Sequence, residues 1–140
     1  MEKYITGNSK WLCLIIIALC LSCAPKSEKS VPQDILVKST GYTIRKYKRY
    51  LYPKVYILKN AFTEEAKTVK VDGMELNLTE ESSIQSTEAS TIEFYKFAQL
   101  SNGDAEVELV LMPRRQYLRL RFKKTGNKSW EITSVIPWQV

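Results

Sequence analysis

The sequence predicts a small α+β domain in which an antiparallel β-meander dominates and one or two short helices are added; an all-β domain is the alternative. Apolar and polar residues alternate in several segments after residue 68, which is the period of a half-buried strand. Asp72-Gly73 and Asn102-Gly103 stand between such segments, and both dipeptides favour hairpin turns. Apolar residues between positions 44 and 51 recur at i, i+3 and i+7, which predicts a short helix.

The first element in chain order is an apolar run that predicts a secretory signal. Lys3 and Lys10 lie within the first ten residues, and Trp11–Leu21 is an unbroken stretch of 11 apolar residues. This stretch is too short for a helix that spans a membrane, which needs about 20 residues. A basic region followed by such a stretch and then by small residues is typical of a cleaved signal peptide. We therefore expect residues 1–22 to be removed from the mature protein.

The end of this run resembles the lipobox of bacterial lipoproteins. It reads Leu19-Cys20-Leu21-Ser22-Cys23, with Cys20 at the place where leucine is typical. The resemblance implies that Cys23 carries a diacylglycerol and that a peptidase cuts before it. Because Ala24 is not acidic, it also implies an outer-membrane location in the bacterial cell envelope. A plain secretory signal with incidental cysteines is the alternative.

The mature chain would then begin with a tether. It would have 118 residues, of which 19 are basic and 14 acidic, giving a net charge of +5. Residues 24–34 hold two prolines, two serines and almost nothing apolar, a composition typical of a solvated linker. With Cys23 as the anchor, residues 23–34 are predicted to be a flexible tether and residues 35–140 a single globular domain.

Basic and tyrosine residues are concentrated at the start of this domain. Residues 35–63 carry seven basic residues, no acidic one and five of the eight tyrosines. Lipid phosphates, an anionic glycan or an acidic protein would suit such a surface. A solvating face, whose long basic side chains cover apolar surface, is the alternative. The residues expected to form an anionic-partner surface are Arg45, Lys46, Lys48, Arg49 and Lys54.

The basic segment is followed by strands. Residues 42–52 fit either a helix ended by Pro53 or strands, and residues 54–60 fit a strand. A hairpin is predicted over residues 68–78, a loop or one helical turn over 79–90, and strands over 92–100 and 105–112. The turn at residues 113–116 then leads into a strand in which Leu118, Leu120 and Phe122 face the core.

The side-chain pattern also predicts the register of the two strands on either side of the turn at residues 113–116. If Leu111 lies opposite Leu118, acidic residues of one strand face basic residues of the next, which stabilises a sheet. A slip of one residue would bury the charges. The expected cross-strand pairs are therefore Leu109 with Leu120, Val107 with Phe122, Glu108 with Arg121, and Glu106 with Lys123.

A final hairpin turns at residues 125–128. A three-residue loop places Trp130, Ile132 and Ile136 on the face of Phe122, and Pro137 is expected to end the strand. Residues 122–135 resemble the last hairpin of small bacterial envelope domains of the NTF2-like and cystatin-like families. This resemblance implies a helix packed on a curved sheet rather than a sandwich.

The composition excludes several kinds of catalysis. The chain has no histidine, and its three cysteines all lie within the first 23 residues, which rules out a His base, a Cys-His pair and a Cys or His metal site in the domain. It has no glycine-rich phosphate loop and no calcium loop. We therefore expect no catalytic residue, no cofactor and no metal. The remaining acidic candidates are Glu106 and Glu108, Glu64 and Glu65, and Glu80 and Glu81.

The sequence therefore predicts a lipid-anchored bacterial envelope protein with a non-catalytic binding or structural role. Its partners would be the membrane, through the lipid, and a protein of the envelope; nucleic acid is not expected outside the cytoplasm. An immunity-type protein that neutralises a periplasmic toxin is the alternative. An enzyme that uses carboxylates alone would need two acids about 5–10 Å apart across a cleft.

Overall fold

The computed structural model describes residues 30–139, and the first of its elements is a long helix. Helix α1 spans Gln33–Tyr47 and continues as a 3₁₀ turn over Lys48–Tyr50. It therefore begins well before the predicted helical segment around residues 44–51. Four of its buried positions are small or polar, and these residues hide the apolar period: Ser39, Thr40, Gly41 and Thr43.

The packed part of the chain also begins earlier than expected. Val31 is only 3% exposed, and its amide donates to the Phe62 carbonyl at 2.7 Å. The Ser30 hydroxyl donates to the same carbonyl at 3.0 Å. Residues 30–34 therefore belong to the domain, so the predicted start near Ile35 is wrong by several residues. The predicted signal (residues 1–22), Cys23 and residues 24–29 lie outside the described residues.

Eight strands follow α1. They are β1 (Lys54–Leu58), β2 (Val69–Val71), β3 (Met74–Leu76), β4 (Leu78–Thr79), β5 (Ala89–Gln99), β6 (Ala105–Met112), β7 (Gln116–Lys124) and β8 (Trp130–Gln139). Six of them form one sheet in the order β4-β1-β5-β6-β7-β8, and β2 pairs with β3 alone. A second 3₁₀ turn covers Glu81–Ser83. The described residues thus form a small, sheet-dominated domain with one α-helix.

The predicted meander is present from β5 to β8, but β1 departs from it. Successive strands from β5 to β8 are antiparallel. Strand β1 instead runs parallel to both of its neighbours, β4 and β5. Parallel strands need a long connection, and residues 59–88 supply one that includes the hairpin β2–β3. The sheet is therefore mixed rather than wholly antiparallel.

Both predicted glycine turns are confirmed. Asp72 and Gly73 have φ values of 49° and 81°, the positive values that a type I′ turn requires at its two central residues. Gly103 has φ 88° in the turn between β5 and β6, and Asp104 accepts a hydrogen bond from Leu100 there. Only residues that tolerate positive φ form such turns without strain.

The register between β6 and β7 differs from the expected one by two residues. Leu111 lies opposite Gln116, and Leu109 lies opposite Leu118. The turn is tighter than predicted, so Gln116 and Tyr117 join the strand. A slip of two residues keeps every side chain on its predicted face, which is why Leu118, Leu120 and Phe122 are still fully buried.

Strand β8 begins as predicted and then changes face. Trp130 is buried and lies in the core with Phe122. A bulge next to Thr133 shifts the register between Arg121 and Phe122, so that Ile136 is exposed instead of facing the core. Pro137 does not end the strand, because β8 is an edge strand, where a missing amide proton is tolerated.

One apolar core joins these elements. It packs α1 and the hairpin β2–β3 against one face of the six-stranded sheet. The largest fully buried side chains in it are Phe94, Phe122, Ile35, Leu36, Ile57, Ile92, Leu109, Leu111, Leu118 and Leu120. The opposite face of the sheet carries the charged and aromatic side chains described below.

Candidate functional site

The two ends of the sheet differ in what they hold. Strands β5 and β7 begin, and strands β6 and β8 end, at one end of the sheet, and the edge meant below is this line across the strand ends. Lys54 of β1 lies opposite Ala89 at this edge. The end of α1 reaches this edge too, because the Tyr52 amide donates to the Ser90 hydroxyl at 2.9 Å. The helix begins at the opposite edge, where Asp34 accepts a hydrogen bond from the amide of Trp130 at 2.8 Å.

All five residues of the predicted anionic-partner surface lie at the first of these edges and are exposed: Arg45, Lys46, Lys48, Arg49 and Lys54. Arg45 forms an ion pair with Asp72, with 3.1 Å between Nη1 and Oδ1. Basic residues near the C-terminus of a helix also complement its dipole. The helix alone would therefore account for Arg45 and Lys46, but not for the cations that come from other elements.

The β6–β7 turn brings further positive charge to the same place. The guanidinium carbon of Arg114 lies 3.8 Å from the centre of the Tyr50 ring, and Arg115 follows it in an exposed position. The sequence offered only a turn at these residues, because 64 positions separate Arg114 from Tyr50. We call the following set the basic end: Lys46, Lys48, Arg49, Lys54, Arg114 and Arg115.

The cations of the basic end are not neutralised within the described part of the chain. None of the six has an acidic partner within 4.0 Å there. Residues 45–50 line an open depression of about 670 Å³ between them. Tyr50, which is one of these residues, is 49% exposed, and Tyr52 is 39% exposed. The unpaired charges of the basic end thus lie beside two exposed aromatic rings.

The solvent-facing side of the sheet carries a charge ladder. Glu108 of β6 accepts a hydrogen bond from Arg119 at 2.7 Å and faces Lys96 at 3.4 Å. Glu106 pairs with Arg121 at 3.1 Å. The expected partners, Arg121 for Glu108 and Lys123 for Glu106, are wrong because of the two-residue register shift. Burial opposes ionisation of Glu108, but Arg119 and Lys96 outweigh it and lower the pKa of this carboxyl from its ordinary 4.5.

Three aromatic rings adjoin this ladder. Tyr117 packs edge-on against Tyr95, with 6.0 Å between ring centres, and stacks on Trp138 at 5.7 Å. Arg119 lies 5.3 Å from the centre of the Trp138 ring. Burial, followed by the charge of Glu108 and a hydrogen bond to it, raises the pKa of Tyr95 to about 12. The group stays neutral at physiological pH and serves as packing.

The acidic candidates lie in two different settings. Glu106 and Glu108 both have arginine partners. Glu64, Glu80 and Glu81 line one open depression of about 650 Å³ with Lys59, so the structure brings Glu64 near the pair Glu80 and Glu81, from which the sequence left it apart. All three are exposed to solvent, which leaves them without the burial that tunes a catalytic acid.

A third depression, of about 550 Å³, lies beside the start of α1. The side chain of Lys38 donates to Asp34 at 2.9 Å and to the Trp130 carbonyl. Together with the bond from the Trp130 amide to Asp34, these contacts tie the helix to the first residue of β8. They use the polar groups of this region for structure.

No family model, characterised protein or solved structure matches this chain. Among residues 30–139, no group of three or more acidic, cysteine or histidine side chains is arranged to hold a metal ion. No helix in the same range has the length and apolar character needed to cross a bilayer.

Proposed function

We propose that this chain is a lipid-anchored protein of the bacterial envelope, with a binding or structural role rather than a catalytic one. The observation that carries the proposal is Cys23, which follows Ser22 at the boundary between an apolar run and a polar segment. Ser30, seven residues later in the chain, already bonds to the packed domain. A lipid on Cys23 would therefore hold the domain close to a membrane, and Ala24 favours the outer membrane.

The arrangement of the domain supports a binding role. The acidic candidates of the sequence are paired with cations or exposed to solvent, whereas the basic end gathers six cations that have no acidic partner within 4.0 Å among the described residues. We assign the domain to the α+β class, since one helix packs on a largely antiparallel sheet and the parallel strand β1 is the exception. No cofactor or metal enters the proposal.

An immunity-type protein is the second candidate. The unpaired cations of the basic end favour it, because a toxin with an acidic surface would be bound by complementary charge. The two candidates differ in gene neighbourhood, since an immunity gene is expected beside the gene of its toxin. They also differ in binding, because only an immunity protein would suppress the activity of one purified toxin.

The anchor is tested by metabolic labelling with a fatty acid in cells that express the full chain. The unchanged protein should be labelled and recovered with membranes. The variant Cys23→Ala should lose the label and remain uncleaved or soluble, because the thiol that would carry the lipid is gone. Cys20→Ala is the matched control, and it should keep the label.

The result that contradicts the anchor is equally direct. Label that persists in Cys23→Ala and disappears in Cys20→Ala would move the site to Cys20. An unlabelled but secreted wild-type protein would identify the first 22 residues as a plain secretory signal.

A further inference from the structure

We propose that the basic end rests on the anionic phospholipid surface of the membrane that holds the lipid anchor. The inference depends on the proposed lipidation of Cys23 and adds a second, electrostatic contact to it. The two acyl chains of a diacylglycerol on Cys23 would already anchor the protein stably, so the electrostatic contact would act on the orientation of the domain. Here the basic end would fix which way the domain faces.

The charge that the proposal needs comes from three separate elements. Lys48 and Arg49 lie in the 3₁₀ turn after α1, Lys54 opens β1, and Arg114 lies in the β6–β7 turn. The register of the paired strands and the contact between Arg114 and Tyr50 bring these four residues to one edge of the sheet. Complementing the helix dipole explains none of the residues outside the helix. Basic clusters of this size next to a membrane are attracted to anionic headgroups.

The aromatic residues beside the basic end also suit a phospholipid surface. Tyr50 and Tyr52 are among the few large apolar side chains that the described residues expose. Tyrosine is favoured at the boundary between lipid and water, because its ring is apolar and its hydroxyl can remain hydrated. Tyrosine is also enriched at protein interfaces, so the choice between a membrane and an acidic protein rests on the position of the anchor.

The chain between anchor and domain is long enough to allow the contact. Helix α1 has 15 residues, which makes it about 22 Å long at a rise of about 1.5 Å per residue. Seven peptide steps separate Cys23 from Ser30, and seven steps reach at most about 25 Å. The domain can therefore lie with α1 along the membrane, so that both the start of the domain and the basic end are near the lipid.

Proximity favours the membrane over a free partner. A surface joined to the membrane by a short chain meets the headgroups at an effective concentration in the millimolar range. An acidic protein or a glycan would have to find the basic end by diffusion and then compete with that surface. Among the three anionic partners that the charge suits, the bilayer is the one already held within reach.

The test measures the distance from the basic end to the bilayer. Mature, acylated protein carrying Pro53→Cys is labelled with a donor dye at that thiol, since Cys23 is blocked by its lipid. It is then reconstituted into vesicles that contain an acceptor-labelled headgroup. Energy transfer should be higher in vesicles with about one third phosphatidylglycerol than in pure phosphatidylcholine. It should fall to the phosphatidylcholine value at 1 M salt, where the Debye length is about 3 Å instead of about 10 Å at 0.1 M.

Charge variants identify the residues responsible. Changing Lys46, Lys48, Arg49 and Arg114 together to Gln should remove the difference between the two kinds of vesicle. The matched control changes four exposed lysines that have no acidic partner within 4.0 Å among the described residues: Lys59, Lys67, Lys123 and Lys128. It removes the same charge elsewhere and should keep the difference. A dye at Ser101→Cys, near the other edge of the sheet, should respond less than the dye at Pro53.

The outcomes separate this inference from the proposed function. Protein that is acylated and vesicle-bound, but whose energy transfer is the same in both lipids and at both salt concentrations, would overturn the inference and leave the anchor intact. An equal loss in the matched control would overturn it as well. Failure of the anchor would show earlier, as protein without a fatty acid label.

Discussion

Trp130 links the apolar core to helix α1 at the edge where the helix begins. Its ring is 6% exposed and belongs to the same core as Phe122. Its amide donates to Asp34, and its carbonyl accepts a hydrogen bond from Lys38. The side chain therefore fills the core while the backbone holds the helix. The sequence predicted the burial from the alternation in the last hairpin, but nothing local indicated the polar contacts with α1.

Replacing this ring should strongly destabilise the domain. We expect Trp130→Ala to lower the free energy of unfolding by about 3–5 kcal/mol, the cost of removing a large aromatic side chain from a core. That is a large fraction of the stability of a typical domain. Urea denaturation followed by circular dichroism measures the change. Ile136→Ala on the same strand, at a side chain that is 52% exposed, should change the free energy by only about 0.5 kcal/mol. Equal losses in the two variants would show that Trp130 is not a core residue.

The strands show which features of an element its sequence determines. Alternation has a period of two, so it assigned Leu118, Leu120 and Phe122 to the core but could not distinguish registers that differ by two residues. The length of the β6–β7 turn decides between them. The bulge beside Thr133 reverses the alternation within β8, which is why Ile136 is exposed although unbroken alternation predicted its burial. Both features depend on contacts between strands rather than on the pattern within one strand.

Glu108 makes the β5–β6–β7 ladder sensitive to acid. Its pKa is lowered in the folded protein, so near pH 4.5 the unfolded chain binds more protons, and stability increases with pH. The contribution is present above pH 4.5 and is lost as the pH falls through the folded value. We expect Glu108→Gln to lower the free energy of unfolding by about 1–2 kcal/mol at pH 7. We expect the smaller loss of this range, because Arg119 and Lys96 are partly exposed and water screens their charges.

Urea denaturation between pH 3 and pH 7 tests this expectation. The stability of Glu108→Gln should depend less on pH below 4.5 than that of the unchanged protein. Glu75→Gln, at an exposed carboxylate of β3 with no cation within 4.0 Å among the described residues, should keep the full dependence. A parallel pH profile for all three proteins would mean that the ladder does not contribute.

The whole molecule combines local signals that the sequence displays with long-range pairings that it does not. The glycine turns and the β5–β8 meander were predictable because neighbouring strands are close in the chain. The parallel pairing of β1 with β5 was not, since 30 residues separate the two strands. The same limit applies to the candidate site: residues 45–54 stood out as one basic run, whereas Arg114 joins them only because β6 and β7 turn at the same edge as the end of α1.

The boundary of the domain gives a final test at this scale. Val31 is buried, and residues 30 and 31 both bond to the Phe62 carbonyl, so these residues should contribute to stability although their composition resembles a linker. Burial of a valine side chain contributes about 1.5–3 kcal/mol, and we expect a chain that begins at Gln33 to be less stable by about that amount than one that begins at Ser30. Chains that begin at Ala24 and at Ser30 should unfold at the same urea concentration. If removal of residues 30–32 left the midpoint unchanged, these residues would belong to the tether, as the sequence prediction of a tether over residues 23–34 has it.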